Sequence, residues 1–374
     1  MVPVVFAEIL SLRGNTMKVA KNLVQSSHKN YIRSAKDLCE NNLIPFDHIQ
    51  LAKEASETLP IAITPHIAKQ INLADPNDPL ARQFVPDIQE NYVSAEEMYD
   101  PIGDQAFTPV EGIVHRYPDR VLLTPILSCP IYCRFCFRRE TVGSGILETR
   151  KLNSALEYIR QNKEIWEVIL SGGDPLILSQ RRISTIISEL DKIDHVKVIR
   201  IHTRVPIVDP ARISYKLVKI LKCKTPVYVV LHCNHPKELE ENAREAIALM
   251  VDSGIPMLSQ TVLLKGVNDK SHILEKLMRE LVICRIKPYY LHHGDKARGT
   301  QHFRTSLTKG LSLIKKLRGK ISGLCQPTYM IDIPGGHGKV PVNLTYVHQT
   351  KIGDWCIEDW QGNKHIYKES TDYR

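Results

Sequence analysis

Short apolar runs that alternate with amphipathic stretches fill the chain from about residue 120 onward and limit its fold more than any other feature. Six runs have the length and the β-branched content of buried strands. They are Val121–Leu127, Ile165–Leu170, Val196–His202, Val227–His232, Met257–Leu263 and Pro288–Leu291. The stretch from Leu239 to Met250 has apolar residues at helical spacing and is followed by Gly254, which predicts a helix ending near that glycine. This alternation is typical of βα units around a parallel sheet.

Six βα units predict an α/β fold whose sheet curves into an open, partial (β/α)6 barrel, because the closed barrel needs eight units. Such sheets carry their chemistry at the carboxyl ends of the strands. We assign residues 111–319 to the barrel and 18–110 to a preceding helical segment. Residues 320–374 are expected to help cover the mouth, and 1–17 form an uncertain extension.

Composition excludes several classes of protein. Hydrophobic residues make up 43% and charged residues 24% of the chain, which is ordinary for a globular protein. The net charge of +9 indicates an anionic partner, but without a basic block phosphorylated cofactors explain it as well as nucleic acid does, and we predict no nucleic-acid partner. No run approaches the ~20 apolar residues of a membrane helix, and no signal peptide is recognisable. Nine cysteines, an odd number, favour a reducing cytoplasm over a secreted disulfide framework.

Three cysteines follow the first predicted strand at close spacing. Cys129, Cys133 and Cys136 form a Cys-x3-Cys-x2-Cys loop. Three thiolates can hold three irons of a four-iron cluster and leave the fourth iron open for another ligand. A zinc site would need a fourth ligand nearby, and none is present, whereas buried structural cysteines remain a plainer alternative. The spacing therefore favours an iron–sulfur cluster.

The sequence also contains two glycine-rich elements. The second predicted strand ends in Ser171-Gly172-Gly173-Asp174-Pro175, which by itself is a common turn. Near the carboxyl end, the run from Pro334 to Lys339, PGGHGK, presents one lysine after three glycines. A lysine can form a Schiff base with pyridoxal phosphate, and glycines let the backbone approach the cofactor. A phosphate-binding P-loop is a poorer match because Ile333 and Val340 replace its first glycine and its Ser/Thr, while composition alone favours a surface turn.

The cysteine loop, with Phe135 before its last cysteine, resembles the signature of radical S-adenosylmethionine enzymes. In those enzymes the methionine group of S-adenosylmethionine chelates the open iron. Ten short runs between about residues 63 and 342 further resemble, in the same order, the lysine 2,3-aminomutase family. They are ITPH, DPNDP, HRYPDRVLL, YCRFCFRR, LSGGDPL, NHP, LLKGVND, PYYL, HFRT and DIPGGHGK. The resemblance implies a [4Fe-4S] cluster on the three cysteines, S-adenosylmethionine, and pyridoxal 5′-phosphate on Lys339.

The resemblance also implies roles for individual residues. Those expected at pyridoxal phosphate are Lys339, Arg116, Tyr117 and Arg120. Those expected beside S-adenosylmethionine are Phe135, Gly172, Gly173, Asp174, His232 and Gln260. Arg138 is expected to bind the substrate carboxylate, since its planar guanidinium matches a planar carboxylate. Asp295 and Asp332 are expected to bind the distal ammonium of the substrate, since two negative charges suit a cation. The plainer alternatives are structural or surface arginines and aspartates that are solvated or cap a helix.

The implied activity is that of an L-lysine 2,3-aminomutase, an isomerase that converts α-lysine to β-lysine with a 5′-deoxyadenosyl radical. Its partners would be free lysine and a reducing donor such as flavodoxin or ferredoxin. One alternative is the elongation factor P β-lysylation type, whose pattern lacks an aspartate at the position of Asp332. Two others are an aminomutase acting on arginine and an iron–sulfur protein that only transfers electrons or binds nucleic acid.

The chain departs from the family at two places. Some members bind zinc through a cysteine after the VND run and a terminal cysteine cluster, whereas here Lys270 follows that run and only Cys356 lies beyond Cys325. We therefore expect no zinc, and a homo-oligomer is left open. The first sixteen residues resemble nothing in the family, so we expect Met17 to be the working start.

Overall fold

The structure, a computed structural model, describes residues 31–72, 74–350 and 354–368. The expected start at Met17 and the extension at 1–17 lie outside these residues. Short helices precede the sheet: α1 (Ala35–Glu40), α2 (Ile49–Ser56), α3 (Pro65–Ala68) and α4 (Pro79–Phe84). They are joined by 3-10 turns at Phe46–His48, Ile88–Asn91 and Gln105–Phe107. Leu38, Ile63, Ile67 and Leu80, all fully buried, place this part of the chain against the main hydrophobic core.

A nine-stranded sheet forms the centre of the molecule, and its strands lie side by side in chain order. They are β1 (Ile113–Tyr117), β2 (Arg120–Ile126), β3 (Glu167–Gly172), β4 (Val198–Thr203), β5 (Val227–His232), β6 (Met257–Val262), β7 (Lys287–His292), β8 (Thr328–Asp332) and β9 (Lys339–Pro341). Neighbours from β2 to β8 pair in parallel, whereas β1 and β9 pair antiparallel at the two ends. The sheet curls into a half-barrel, which confirms the predicted open α/β fold, and β2 to β7 correspond to the six predicted strands.

One parallel strand was not predicted. β8 lies in the part of the sequence that we assigned to the cover, and it continues the sheet on the far side of β7. It has only five residues, and only Tyr329 and Met330 among them are buried. A pattern this short does not stand out in a sequence. Its position has a consequence for the site, because Asp332 ends β8 and Lys339 begins β9.

Helices between the strands bury their apolar faces against the sheet. They are α5 (Thr149–Gln161), α6 (Gln180–Asp191), α7 (Val205–Val208), α8 (Tyr215–Leu221), α9 (Glu241–Asp252), α10 (Ser271–Ile283) and α11 (Leu307–Leu317). α9 is the helix predicted before Gly254, and that glycine has a φ of +84° after the helix end. A separate antiparallel sheet follows, formed by β10 (Val347–Gln349), β11 (Trp355–Glu358) and β12 (Lys364–Tyr367). None of the helices in the described ranges has the length and apolarity to cross a membrane.

Candidate active site

The curl of the sheet encloses a cavity of about 780 Å³. Every residue for which the sequence predicts a role in the site lines it. These residues are Arg116, Tyr117, Arg120, Cys129, Cys133, Phe135, Cys136, Arg138, Gly172, Gly173, Asp174, His232, Gln260, Asp295, Asp332 and Lys339. They come from segments more than 200 residues apart, and the parallel strands bring them together. Their shared location is a fact of the structure, and their individual roles stay predictions.

The three cysteines occupy the loop that follows β2. The backbone N–H of Cys136 donates to the carbonyl of Cys133 at 3.0 Å, which makes the end of the loop a tight turn. Burial raises the pKa of all three thiols, that of Cys136 to about 11. Metal binding at these sulfurs must therefore displace protons. Within the described ranges no three His, Cys, Asp or Glu side chains surround a point suited to a single metal ion.

The Gly172–Gly173 pair lets the end of β3 lie directly on the start of the cysteine loop. A Cβ at Gly173 would stand 2.1 Å from the carbonyl oxygen of Ser128, the residue before Cys129. A Cβ at Gly172, whose φ is +102°, would stand 2.6 Å from the carbonyl oxygen of Ile126. Both distances are far below any real carbon–oxygen contact. Glycine is thus required here by the close approach of two backbone segments.

Asp174 is turned into the protein by its neighbours. One carboxylate oxygen accepts the hydroxyl of Thr203 at 2.7 Å, and the other accepts the backbone N–H of Arg204 at 2.7 Å. Burial raises the pKa of Asp174, and these donors oppose the rise. The carboxylate therefore ties the end of β3 to the end of β4. Asp174 also lines the cavity.

Two histidines lie at the ends of neighbouring strands. His202 Nδ1 and His232 Nε2 are 2.9 Å apart, and their rings meet edge to face. Burial, followed by the charge of Arg204, lowers the pKa of His232 to about 3, and burial lowers that of His202 well below its usual value. Both imidazoles are therefore neutral at pH 7, and one of them donates to the other. In the register of β5 and β6, His232 pairs with Gln260.

Lys339 is fixed by strand pairing and by one tyrosine. It lies opposite Asp332 in the β8–β9 ladder, with Nζ 3.7 Å from Asp332 Oδ2. Its backbone N–H donates to the hydroxyl of Tyr117 at 3.0 Å. The preceding Gly338 has a φ of +83°, and a Cβ there would stand 2.9 Å from the same hydroxyl. The glycine loop thus brings the lysine against Tyr117.

Asp295 and Asp332 face the same cavity with different surroundings. Burial, reinforced by the charge of Asp332, raises the pKa of Asp295 to about 7. Burial also acts on Asp332, but His292, whose Nδ1 lies 3.3 Å from Oδ2, together with Lys339 holds the pKa of Asp332 below its usual value. Asp332 is therefore ionised at pH 7, whereas Asp295 is partly protonated. Adding a cation would let both carboxylates ionise.

Arg138 is oriented by a carboxylate that the sequence analysis missed. Asp104 Oδ2 accepts both Nη2 at 2.8 Å and Nε at 3.2 Å of Arg138, and Ser171 Oγ accepts Nη1 at 3.3 Å. One N–H on each terminal nitrogen remains for another acceptor. Asp104 Oδ1 also accepts Nη2 of Arg116 at 3.1 Å. A single carboxylate therefore holds the two arginines predicted for the substrate and for pyridoxal phosphate.

The other predicted phosphate ligands differ in how far they are already engaged. Nε of Arg116 is buried and has no hydrogen-bond partner among the residues that the structure describes, so it can serve an anionic ligand. Arg120 instead lies over the ring of Tyr117, 3.9 Å from its centre, and pairs with Asp119 at 2.6 Å. Arg116 is the better placed of the two to meet a buried phosphate.

Several charged or polar residues of the cavity wall escaped the sequence analysis, and Asp104, His292 and Arg204 make the contacts that matter most here. Arg204 follows β4 directly and His292 ends β7, so the rule that parallel strands carry function at their carboxyl ends could have singled them out. Asp104 lies in an irregular segment before β1, and no pattern in the sequence marks it.

Comparison with known proteins adds independent findings. The profile described as the Radical SAM superfamily matches residues 123–277, and that described as Lysine-2,3-aminomutase matches residues 314–374. L-lysine 2,3-aminomutase of Acetoanaerobium sticklandii is 40% identical over 347 residues, which cover 92% of this chain and 84% of that protein. Glutamate 2,3-aminomutase of Clostridioides difficile is 34% identical over 312 residues, which cover 83% and 74%. A solved radical SAM methyltransferase from Sphaerobacter thermophilus superposes with a TM-score of 0.43 at 18% identity, covering 59% of this chain and 68% of that one.

Proposed function

Because the chain belongs to the lysine 2,3-aminomutase family of radical S-adenosylmethionine enzymes, we propose that it is an isomerase that moves the amino group of L-lysine from Cα to Cβ. One observation carries the proposal. A single cavity is lined by the three thiols of a cluster loop, by a lysine that follows a glycine-rich turn, and by two carboxylates suited to a cationic substrate. An electron-transfer protein has no need of the last two features.

The residues present fit the three cofactors of this family. Cys129, Cys133 and Cys136 would hold the [4Fe-4S] cluster, next to the backbone at Gly173 that would meet S-adenosylmethionine. Lys339 would hold pyridoxal 5′-phosphate, and the unpartnered Nε of Arg116 suits its phosphate. When bound, these groups supply a 5′-deoxyadenosyl radical and a conjugated ring that spreads an unpaired electron.

The chain itself orients the substrate. We propose that Arg138 binds its carboxylate through the two N–H groups that Asp104 and Ser171 leave free. At the other end, Asp332 and Asp295 bind the distal ammonium, and the arriving cation lowers the raised pKa of Asp295. Fixing both ends of the substrate holds its central carbons in one place. Phe135, packed edge to face on Phe303, helps to keep water out of the wall near the cysteines.

Asp332 bears on the choice within the family. In the elongation factor P type the corresponding position lacks this aspartate, and here Asp332 lies 3.7 Å from Lys339 Nζ and 3.3 Å from His292. This second carboxylate favours free lysine over a protein-modification pathway. Arginine is the competitor that charge alone does not exclude, because its side chain is also cationic.

The remaining expectations on partners and location are also proposals. A low-potential donor such as flavodoxin or ferredoxin would supply the electron. All nine cysteines are free thiols, which suits a reducing compartment such as the cytoplasm. A homo-oligomer is compatible with the family.

Anaerobic reconstitution with iron, sulfide and pyridoxal phosphate tests the activity. After addition of S-adenosylmethionine and dithionite, lysine should be converted to β-lysine. Replacing Cys129, Cys133 or Cys136 by Ala should abolish both the cluster absorption and turnover. Unchanged iron content in any of these variants, or an absence of 5′-deoxyadenosine from the wild-type protein, would contradict the assignment.

A substrate panel of lysine, arginine, ornithine and glutamate tests the specificity. Glutamate should be rejected, because its distal carboxylate would face Asp295 and Asp332. Asp332→Asn should lower turnover of lysine by orders of magnitude while the cluster and bound pyridoxal phosphate stay in place. Asp47→Asn, which changes an exposed aspartate, is the control and should leave turnover unchanged. Faster turnover of arginine than of lysine would overturn the substrate and leave the reaction type intact.

A further inference from the structure

Arg204 makes a direct contact with one of the cluster cysteines. It follows β4, and its guanidinium is buried beneath the cysteine loop, with only 7% of the residue exposed. Nη1 donates to Cys133 Sγ at 3.1 Å. Phe84 and Phe135 flank the guanidinium, with ring centres 5.3 and 5.6 Å from its central carbon. These apolar neighbours keep water away, so the charge of Arg204 acts on the sulfur with little screening.

Glu238 fixes the other side of the guanidinium. Its Oε2 lies 3.0 Å from Nη2 of Arg204, and the carboxylate is fully buried. Its Oε1 accepts the backbone N–H groups of Asn234 at 2.9 Å and His235 at 2.7 Å. The carboxylate is therefore held by the turn after β5 whether or not Arg204 moves. Arg204 and Glu238 form an oriented pair whose positive end touches Cys133.

Charges of opposite sign lie at different distances from the sulfur of Cys133. The positive guanidinium of Arg204 donates a hydrogen bond directly to that sulfur. The carboxylate of Glu238 pairs with the other terminal nitrogen of the guanidinium and makes no such direct contact, so its negative charge acts on the sulfur more weakly. Any further negative charge that reaches this sulfur is therefore stabilised by Arg204 and destabilised by Glu238.

We propose that Arg204 and Glu238 are positioning residues that set the reduction potential of the iron–sulfur cluster through Cys133, with Arg204 raising it and Glu238 limiting the rise. This inference rests on the proposed function, since it needs the cluster. Reduction takes one electron from an external low-potential reductant and adds one negative charge to the cluster, while no bond of the chain forms or breaks. Hydrogen bonds and positive charge at a ligating sulfur favour the more negative state. The two residues should thus have opposite effects.

Redox titration of the reconstituted protein tests this opposition. Wild type, Arg204→Gln and Glu238→Gln are loaded with cluster, without S-adenosylmethionine, and titrated with dithionite while the reduced cluster is followed by electron paramagnetic resonance. At a given potential, the ratio of reduced to oxidised cluster in Arg204→Gln should be at least about tenfold lower than in wild type. This ratio corresponds to a reduction potential that is lower by about 59 mV. Glu238→Gln should shift the potential upward, because the guanidinium loses its counter-charge.

A matched pair elsewhere in the fold provides the control. Arg244 donates to Cys284 Sγ at 3.4 Å and pairs with Glu280 at 2.6 Å, between α9 and α10 and outside the cavity wall. Arg244→Gln should leave the potential unchanged.

Three outcomes would overturn the inference: unchanged potentials in both variants, shifts of the same sign, or loss of cluster from every variant at these two positions. If only Arg204→Gln fails to hold cluster, Arg204→Lys takes its place in the test, because it keeps the charge but lacks the planar fork. The reduction potential of the cluster in Arg204→Lys should be lower than in wild type. A potential at or above wild type would then overturn the inference. A wild-type chain that binds no cluster would contradict the proposed function itself, which separates the two failures.

Discussion

At the scale of single residues, two carboxylic acids of one cavity have pKa values displaced in opposite directions. Burial raises the pKa of Asp295 to about 7, whereas His292 and Lys339 hold that of Asp332 below its usual value in spite of burial. The protein without substrate thus carries one ionised carboxylate and one that is close to neutral. Under the proposed function, this division means that the cavity does not hold two full negative charges before a cationic substrate binds.

The pH dependence of stability tests the state of Asp295. In the unfolded chain an aspartate ionises near pH 4, whereas folded Asp295 keeps its proton up to about pH 7. The folded state therefore binds more protons between these values, so stability falls as pH rises through this range and is lowest above pH 7. Asp295→Asn should stabilise the protein without substrate at pH 8, by at most about 4 kcal/mol, and less at pH 5.

The measurement is thermal unfolding without substrate at pH 5 to 8. The same substitution at exposed Asp47 is the control against which the gain in Asp295→Asn is measured. An equal effect of Asp295→Asn at both ends of the range would show that the carboxyl group titrates normally.

Borohydride labelling tests the role of Lys339. Reduction of the protein loaded with pyridoxal phosphate should attach the cofactor covalently to Lys339, because the glycine loop and Tyr117 present this lysine in the cavity. Lys287 is the informative competitor, since burial lowers its pKa and leaves more of its amine unprotonated, but it lies at the start of β7 outside the cavity wall. Peptide mapping should find the label on Lys339, and a label on Lys287 would refute the assignment.

At the scale of elements, the junction between β3 and the cysteine loop depends on close backbone contact. The end of β3 approaches Ser128 so closely that no side chain fits between them. The hydrogen bonds from the backbone N–H of Gly173 to Ile126 and from that of Asp174 to Ser128, at 2.7 and 3.0 Å, hold the two segments together. The position of the cysteines is therefore set by a neighbouring strand as well as by their own loop.

Gly173→Ala should displace the cysteine loop and reduce the iron content of the reconstituted protein several-fold. The added Cβ would meet the Ser128 carbonyl oxygen at 2.1 Å, and this atom belongs to backbone that cannot swing away. Gly323→Ala is a matched control, because its Cβ would meet nothing within 4 Å and its φ is not in the left-handed region. The iron content of both reconstituted variants is measured. Gly323→Ala should keep its iron, and full iron content in Gly173→Ala would contradict the argument.

At the scale of the whole molecule, buried ion pairs join the segment before the sheet to the cysteine loop. Glu90 Oε2 accepts Arg134 at 2.7 Å and Arg139 at 2.8 Å, and all three side chains are at most 1% exposed. Arg134 also donates to the carbonyl groups of Leu59 and Ala55. The arginines on either side of Cys136 thus anchor the preceding helices, and the cysteine loop and these helices form one packed unit.

Glu90→Gln should destabilise the protein by about 3–5 kcal/mol, because two buried guanidinium groups would lose the carboxylate that pairs with both of them. Urea denaturation measures this loss. Glu275→Gln, which breaks an exposed pair with Arg279, should cost less than about 1 kcal/mol. Comparable losses in the two variants would mean that the buried network contributes little to the link between the two parts.

The sequence by itself was sufficient for the features that local patterns encode. The strands β2 to β7 were found because buried strands and amphipathic helices leave periodic runs within a few residues. The cysteine loop, the Gly-Gly-Asp turn and the PGGHGK turn were found because their residues are neighbours in the chain. The rule that parallel strands end on the same side placed the cysteine loop and the Gly-Gly-Asp turn at one edge of the sheet, whereas the PGGHGK turn was linked to them only by the family resemblance.

Only the tertiary structure decided how these groups act on one another. Arg204 and Cys133 are 71 positions apart, and the pairing of Asp104 with Arg138 crosses 34 positions of chain with no shared pattern. The opposite pKa shifts of Asp295 and Asp332 arise from burial and from His292 and Lys339, which reach Asp332 from neighbouring strands. Burial and Coulomb forces depend on distance in space, so folding alone determines them.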